Sequence, residues 1–323
     1  MTVAVVFTGG TIASRVDPVA GGAVPVLRGA DIIARTPGLA EIAPVEAIDW
    51  GVVPASHLGF GQLIEIARLL EVTLERPEIS GAVVVQGTDT IEETSFAFDL
   101  LVRSDKPVVV TGAMRTASEP DYDGPRNLAD AVLCAGSPEL RGQGTLVVLD
   151  GLVVGGDVVV KTHSTAMDTF QPRDGEALGR VVDARVHLGP RRSRVVLPAP
   201  PAAAAEPVHL ITAVTGMDGT LVRLTASTNP AGLVVAATGT GNTHPELLSA
   251  ASELIARGTA VVLTTRCAGG HVAPAYAFPG GGAQWARAGA LLSRLSGPKA
   301  RIALGLGLGA GLEGDALAQV LHA

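Results

Sequence analysis

Short valine-rich runs recur between longer stretches of helical period, and this alternation constrains the chain most. Residues 3–7, 82–86, 107–111 and 145–150 are compact β-branched runs bounded by glycine, proline or polar residues. Between them, residues 59–75 place Leu63, Ile66, Ala67 and Leu70 on one helical face. Residues 91–103 do the same with Thr94, Ala97, Phe98 and Leu101. Strands that are apolar on both faces and separated by helices imply a mostly parallel sheet flanked by helices, an α/β fold.

The pattern breaks at residues 190–207, which carry Pro190, Pro198, Pro200, Pro201 and Pro207, a run of alanines, and arginines at 191, 192 and 194. This stretch reads as an extended linker. Beyond it, strands are expected at 208–214, 232–237 and 260–264, and helices at 245–257 and 282–295. The expected organisation is therefore a larger N-terminal α/β domain over 1–189 and a smaller α/β C-terminal domain over 208–323.

Charge narrows the function classes. The chain has 323 residues, 24 basic against 31 acidic for a net −7, and no lysine/arginine stripe. A nucleic-acid partner is therefore not expected. The N-terminal apolar run lacks a basic leader and is too short for a signal peptide. No run of 18 uninterrupted apolar residues suggests a membrane span. A cytoplasmic protein is expected. The two cysteines, Cys134 and Cys267, sit in Ala/Gly-rich surroundings and read as buried free thiols. No His/Cys/Asp cluster has metal-ligand spacing, so no metal is expected.

Four short motifs carry polar chemistry. Thr8-Gly9-Gly10-Thr11-Ile12-Ala13-Ser14 follows the first strand. It lacks the third glycine of a dinucleotide turn and the Gly-Lys-Ser/Thr of a phosphate loop. Hydroxyls beside exposed backbone N–H groups suit acyl transfer, and they equally suit a plain tight turn. Gln86-Gly87-Thr88-Asp89-Thr90-Ile91-Glu92-Glu93-Thr94 also joins a strand to a helix. Its acids fit the helix dipole, and Thr88 or Asp89 fits a cap. Lys161, one of three lysines, follows Val158-Val159-Val160. On a surface it would snorkel; out of water, an amine there could take a proton from a threonine hydroxyl. Ser56-His57 follows another apolar segment. Thr240-Gly241-Asn242-Thr243 precedes the expected helix at 245, where Asn242 is either a cap or a ligand hydrogen-bonder.

Taken together, these pieces resemble the bacterial-type L-asparaginase family, in order and over nearly the whole chain. Thr8–Ala13 is similar to its first signature, and Gln86–Thr94 to its second, usually written with His in place of Gln86. Lys106–Arg115 and Asp123-Gly124-Pro125-Arg126-Asn127-Leu128 are similar to two further family blocks. The resemblance implies a cofactor-free asparaginase in which Thr11 attacks the amide carbon, while Thr88, Asp89 and Lys161 move protons. It further implies that Ser56 holds the substrate α-carboxylate and that Asp89 holds the α-ammonium. His57 stands where the family often has glutamine. Asn242 would reach into a partner subunit's site, which implies a homodimer or homotetramer with intersubunit active sites.

The chain departs from the family in its lid, residues 14–29. That segment lacks the usual tyrosine, leaving Arg15 or Asp17 as candidates for its place. Residues 273–282 also lack the glutamate or serine that some members use near the α-amino group. A relative acting on glutamine or another side-chain amide, and a non-catalytic amino-acid sensor, are the alternatives.

Overall fold

The computed structural model describes residues 1–323 and divides into two compact units, Met1–Arg194 and Val195–Ala323.

In the first unit, strands β1 (Thr2–Phe7), β4 (Val45–Asp49), β5 (Ile79–Val85), β6 (Val108–Thr111) and β7 (Thr145–Leu149) pair in parallel in the order β4-β1-β5-β6-β7. Three antiparallel strands, β8 (Leu152–Gly155), β11 (Gly179–Val182) and β12 (Arg185–Leu188), extend the β7 edge to make eight. Two small ribbons lie outside this sheet. One pairs β2 (Ser14–Asp17) with β3 (Gly22–Pro25), and the other pairs β9 (Val159–Lys161) with β10 (Phe170–Pro172).

The unbroken valine runs have a physical cause. Val3, Val5, Val83 and Val85 join one core with Leu128, Ala131, Val132 and Ala135 of helix α5 (Gly124–Gly136), while short helices α1 (Gly29–Ala34) and α2 (Leu39–Ile42) add Ile32 and Leu39 to it. The alternate residues Ala4, Val6, Ala82 and Val84 are fully buried too. Helix α3 (Phe60–Glu75) packs on β5 and α4 (Ile91–Leu101) on β7. As anticipated, Leu63, Ile66, Ala67 and Leu70 form the buried side of α3. With both faces covered, neither set of side chains can be polar.

The second unit is a four-stranded parallel sheet: β13 (Val208–Thr212), β14 (Gly232–Ala237), β15 (Ala260–Thr265) and β16 (Leu291–Leu292). Its helices are α6 (Thr220–Ala226), α7 (Pro245–Ala256), α8 (Gly282–Arg287), α9 (Gly297–Gly309) and α10 (Gly314–Leu321). The single helix expected over 282–295 is corrected here. Helix α8 ends at Arg287, Gly289 turns the chain at φ +95°, and Leu291–Leu292 pairs with Val262–Leu263. Glycine reaches that backbone region without a Cβ clash, so it ends the helix and releases two leucines to the sheet edge.

The thiols are also corrected in part: Cys134 is buried, but Cys267 is exposed. Burial pushes the Cys134 thiol up to about 12, and the nearby Asp130 charge adds to the shift. No helix is long and apolar enough to cross a membrane.

Candidate active site

Strand β1 lies between β4 and β5, so the chain leaves its end toward one side of the sheet and later returns on the other. Such a reversal opens a crevice at the carboxyl ends of the strands, where open α/β sheets bind ligands. The segments that follow β1, β4 and β5 meet there.

The first is the Thr8–Ser14 turn. Thr8 donates its hydroxyl and its N–H to the Val85 carbonyl (3.1 and 2.9 Å), tying the turn to β5. Gly10 has φ +94°, and a Cβ on it would lie 2.2 Å from the Gly87 nitrogen. The two signature turns are thus in backbone contact, and only glycine permits it. The Ser14 hydroxyl donates to the Gly10 carbonyl at 2.9 Å. Of the three hydroxyls in this motif, those of Thr8 and Ser14 are structural. The Thr11 hydroxyl, half-buried in a short 3-10 turn, has no protein partner.

That turn is braced from behind. Tyr122 donates its hydroxyl to the Ile12 carbonyl at 2.7 Å. Burial, helped by the Asp123 charge, pushes the phenol up to about 12, so it remains a donor throughout the neutral range. Sequence reading missed this role. Tyr122 was visible only as one of two tyrosines, and nothing local ties residue 122 to residue 12.

The segment after β4 carries Ser56 and His57 in another short 3-10 turn, and both are exposed. The Thr90 hydroxyl donates to the Ala55 carbonyl at 3.1 Å, holding this turn against the second signature.

The second signature forms a 3-10 turn, Thr88–Thr90, leading into α4. The capping reading does not hold: no side chain caps α4. Instead Lys161 Nζ donates to Thr88 Oγ1 at 2.9 Å and to Asp89 Oδ1 at 3.1 Å. Nor does the lysine extend freely over the surface, because its side chain is only 15% exposed and its amine is engaged by both groups. Thr88 is buried, whereas the Asp89 side chain is 72% exposed. The lysine therefore links a dry hydroxyl to a carboxylate that faces the solvent.

The lid candidate is the β2–β3 hairpin, and Gly21 sits in its turn. Asp17 accepts the N–H groups of Val19 and Ala20 at 2.7 and 3.1 Å, so its carboxylate is engaged in the hairpin turn and not in the crevice. Arg15 lies on the same ribbon, half-buried.

Asn242 belongs to the second unit. It is not a cap, since α7 starts at Pro245 and its N-cap is His244, whose ring accepts the Glu246 N–H. Asn242 closes a tight loop with Thr238, and its side-chain oxygen is buried without a hydrogen-bond partner. Nowhere does a group of three or more His, Cys, Asp or Glu come together to hold a metal ion.

A hydroxyl without a protein partner on one glycine turn, in backbone contact with a second turn whose hydroxyl and carboxylate both hydrogen-bond an amine, supplies groups suited to hydrolytic chemistry. Residues 2–194 match the N-terminal asparaginase family model and residues 207–321 match the glutaminase/asparaginase C-terminal domain. The chain belongs to the asparaginase family, and it is an amidohydrolase. It is 36% identical over 311 residues to a probable L-asparaginase of Deinococcus radiodurans, covering 93% of this chain and 91% of the relative. An L-asparaginase of Bacillus licheniformis is 29% identical, with 97% of each chain covered. Among solved structures, a probable cytoplasmic L-asparaginase from Campylobacter jejuni superposes with TM-score 0.87 at 26% identity, covering 99% of this chain and 98% of that one.

Proposed function

We propose that the protein hydrolyses L-asparagine to L-aspartate and ammonia through a threonyl ester. The observation that carries this reading is the 2.9 Å hydrogen bond from Lys161 Nζ to Thr88 Oγ1, beside the turn that presents Thr11. The Thr11 oxygen bonds to the side-chain amide carbon, the C–N bond breaks, and the nitrogen leaves as ammonia after taking up a proton. Water then adds to the ester carbon, releasing aspartate and restoring the threonine hydroxyl. Lys161, Thr88 and Asp89 carry the protons between nucleophile, leaving group and water. Backbone N–H groups of the two glycine turns stabilise the oxyanion.

Ser56 binds the substrate α-carboxylate with His57 beside it, and Asp89 binds the α-ammonium. The 72% exposure of the Asp89 side chain leaves it open to an incoming ligand. The hairpin closes over the bound substrate and excludes water. Asn242 enters the site of a partner subunit, a role supported by its unpartnered side-chain oxygen. The working form is then a homodimer or homotetramer. A cytoplasmic location is supported by the likeness to the Campylobacter jejuni enzyme.

The test is ammonia release from L-asparagine, L-glutamine and D-asparagine. Asparagine is expected to be the best substrate, with glutamine slower by a factor in the range of about 10–200 for one methylene. Thr11→Ala and Lys161→Met are each expected to lower turnover by at least ~10²-fold. Near-normal ammonia release from either variant would remove that residue from the mechanism. Ligand binding by the unmodified protein without ammonia release would favour a sensor instead.

A further inference from the structure

Lys161 occupies an unusual place for a proton-moving group. It ends a three-residue strand that lies outside the eight-stranded sheet and pairs only with β10. A two-stranded ribbon is a weak platform by itself. Its side-chain amine must nonetheless stay within hydrogen-bond distance of Thr88, which sits 73 residues away in the chain.

The ladder shows where support can attach. In an antiparallel pair, successive residues alternate between pointing their N–H at the partner strand and pointing it away. The Thr162 N–H donates to the Thr169 carbonyl and the Arg173 N–H to the Val158 carbonyl. Lys161, opposite Phe170, therefore falls at a non-hydrogen-bonded position, and its N–H points out of the ribbon. Glu92 takes it: the Lys161 N–H donates to Glu92 Oε2 at 3.0 Å.

Glu92 stands in the first turn of α4, immediately after the 3-10 turn that carries Thr88 and Asp89. The lysine is thus held at both ends by residues 88–92, its backbone by Glu92 and its amine by Thr88 and Asp89. The Thr94 hydroxyl donates to the Thr90 carbonyl at 3.0 Å and stiffens the join between turn and helix.

We propose that Glu92 is the positioning residue for Lys161, standing in for the missing neighbour strand of β9 and setting the reach from the lysine Cα to the Thr88 hydroxyl. It touches no reacting atom. Its charge at the start of α4 is also favoured by the helix dipole, which is why the sequence pattern assigns it only that role. The proposal rests on the asparaginase reading for its kinetic consequence but not for its geometry.

The test compares Glu92→Ala and Glu92→Gln with the unmodified protein in three measurements: kcat and KM for L-asparagine, melting temperature, and the rate at which an N-hydroxysuccinimide acetate reagent labels Lys161. Mass spectrometry reads the label, with Lys106 as the internal reference. Lys106 Nζ is held by the Leu74 and Arg76 carbonyls at 2.6 and 2.7 Å, contacts in which Glu92 takes no part.

Glu92→Ala is expected to lower kcat by about 10- to 100-fold, the cost of a misplaced catalytic group. KM should stay within about threefold and melting within a few degrees, while labelling of Lys161 rises several-fold relative to Lys106. Glu92→Gln keeps an acceptor oxygen and is expected to recover most of the kcat and most of the protection. Wild-type kcat and labelling in Glu92→Ala would overturn the proposal, as would a Gln variant no better than Ala. If the unmodified protein releases no ammonia, the functional reading fails, and the labelling ratio still decides whether Glu92 holds Lys161.

Discussion

Asp130 is a carboxyl that the fold keeps out of water, and it couples stability to pH. Its side chain on α5 is 15% exposed, and burial pushes it up to about 6; Arg126 pulls the other way, and Asp150 adds to the rise. In the unfolded chain the same group titrates near ~3.9. Between those values the native state binds more protons than the unfolded one, so this contribution is complete below about pH 4 and is lost as pH rises through 6. Asp130→Asn is therefore expected to stabilise the protein at pH 8 by about 1–2 kcal/mol, with the gap closing toward pH 4. Melting curves across that range check it, and a gap of the opposite sign at pH 8 would refute the assignment. The sequence showed Asp130 only as one acid among 31. The proposed site residues stood out more readily, because Thr11, Thr88 and Asp89 sit in short motifs. Tyr122 and the clamping role of Glu92 were not, because each acts on a residue that only folding brings near.

Helix α4 organises the site as an element. The 3-10 turn leading into it carries Thr88 and Asp89, its own first turn carries Glu92, and its far half carries Asp99, which is buried. Asp99 accepts the Thr145 N–H at 2.8 Å and pairs with Arg192 at 2.6 Å, and Arg192 also pairs with Asp157 in the turn before β9. The ion cluster therefore joins α4 to the base of the ribbon that presents Lys161. The arginines of the proline-rich stretch had read as part of an extended linker, yet they are tied into the first unit. Arg191 donates to the Arg141 carbonyl, and Arg194 donates to those of Val102 and Ser104. Composition could not reveal this, since the acceptors of Arg191 and Arg194 lie 50 to 92 residues away. Removing one partner of a buried pair leaves an uncompensated charge, so Arg192→Met is expected to cost about 3–5 kcal/mol in a urea titration. The double variant Arg192→Met with Asp99→Asn should recover part of that loss. Additive losses would mean that the two groups do not act as a pair.

At the scale of the whole molecule, the proposed site is complete only when Thr11 of one copy meets Asn242 of another. That idea predicts complementation. Thr11→Ala and Asn242→Ala proteins, each impaired alone, are mixed in denaturant and refolded together. Random pairing in a twofold dimer makes half of the assemblies mixed, and one of the two sites in each is intact, so about a quarter of normal activity should return. Activity no greater than the sum of the separate variants, or a fully active monomer in sedimentation, would remove Asn242 from the site.

The sequence alone determined the α/β class, the parallel core and which residues are proposed as the reacting groups. Strand runs buried on both faces leave a periodicity that survives in one dimension, and the glycine–hydroxyl turns are contiguous. Tertiary structure decided what depends on distant partners. It set the reach of Lys161 to Thr88, the braces from Tyr122 and Glu92, the antiparallel extension of the sheet, and the burial of Arg192. These are contacts between residues tens of positions apart, made by packing and hydrogen bonds that no local pattern encodes. The break after α8 lies between the two: Gly289 was legible as a glycine, but only the open edge of β15 made Leu291–Leu292 a strand.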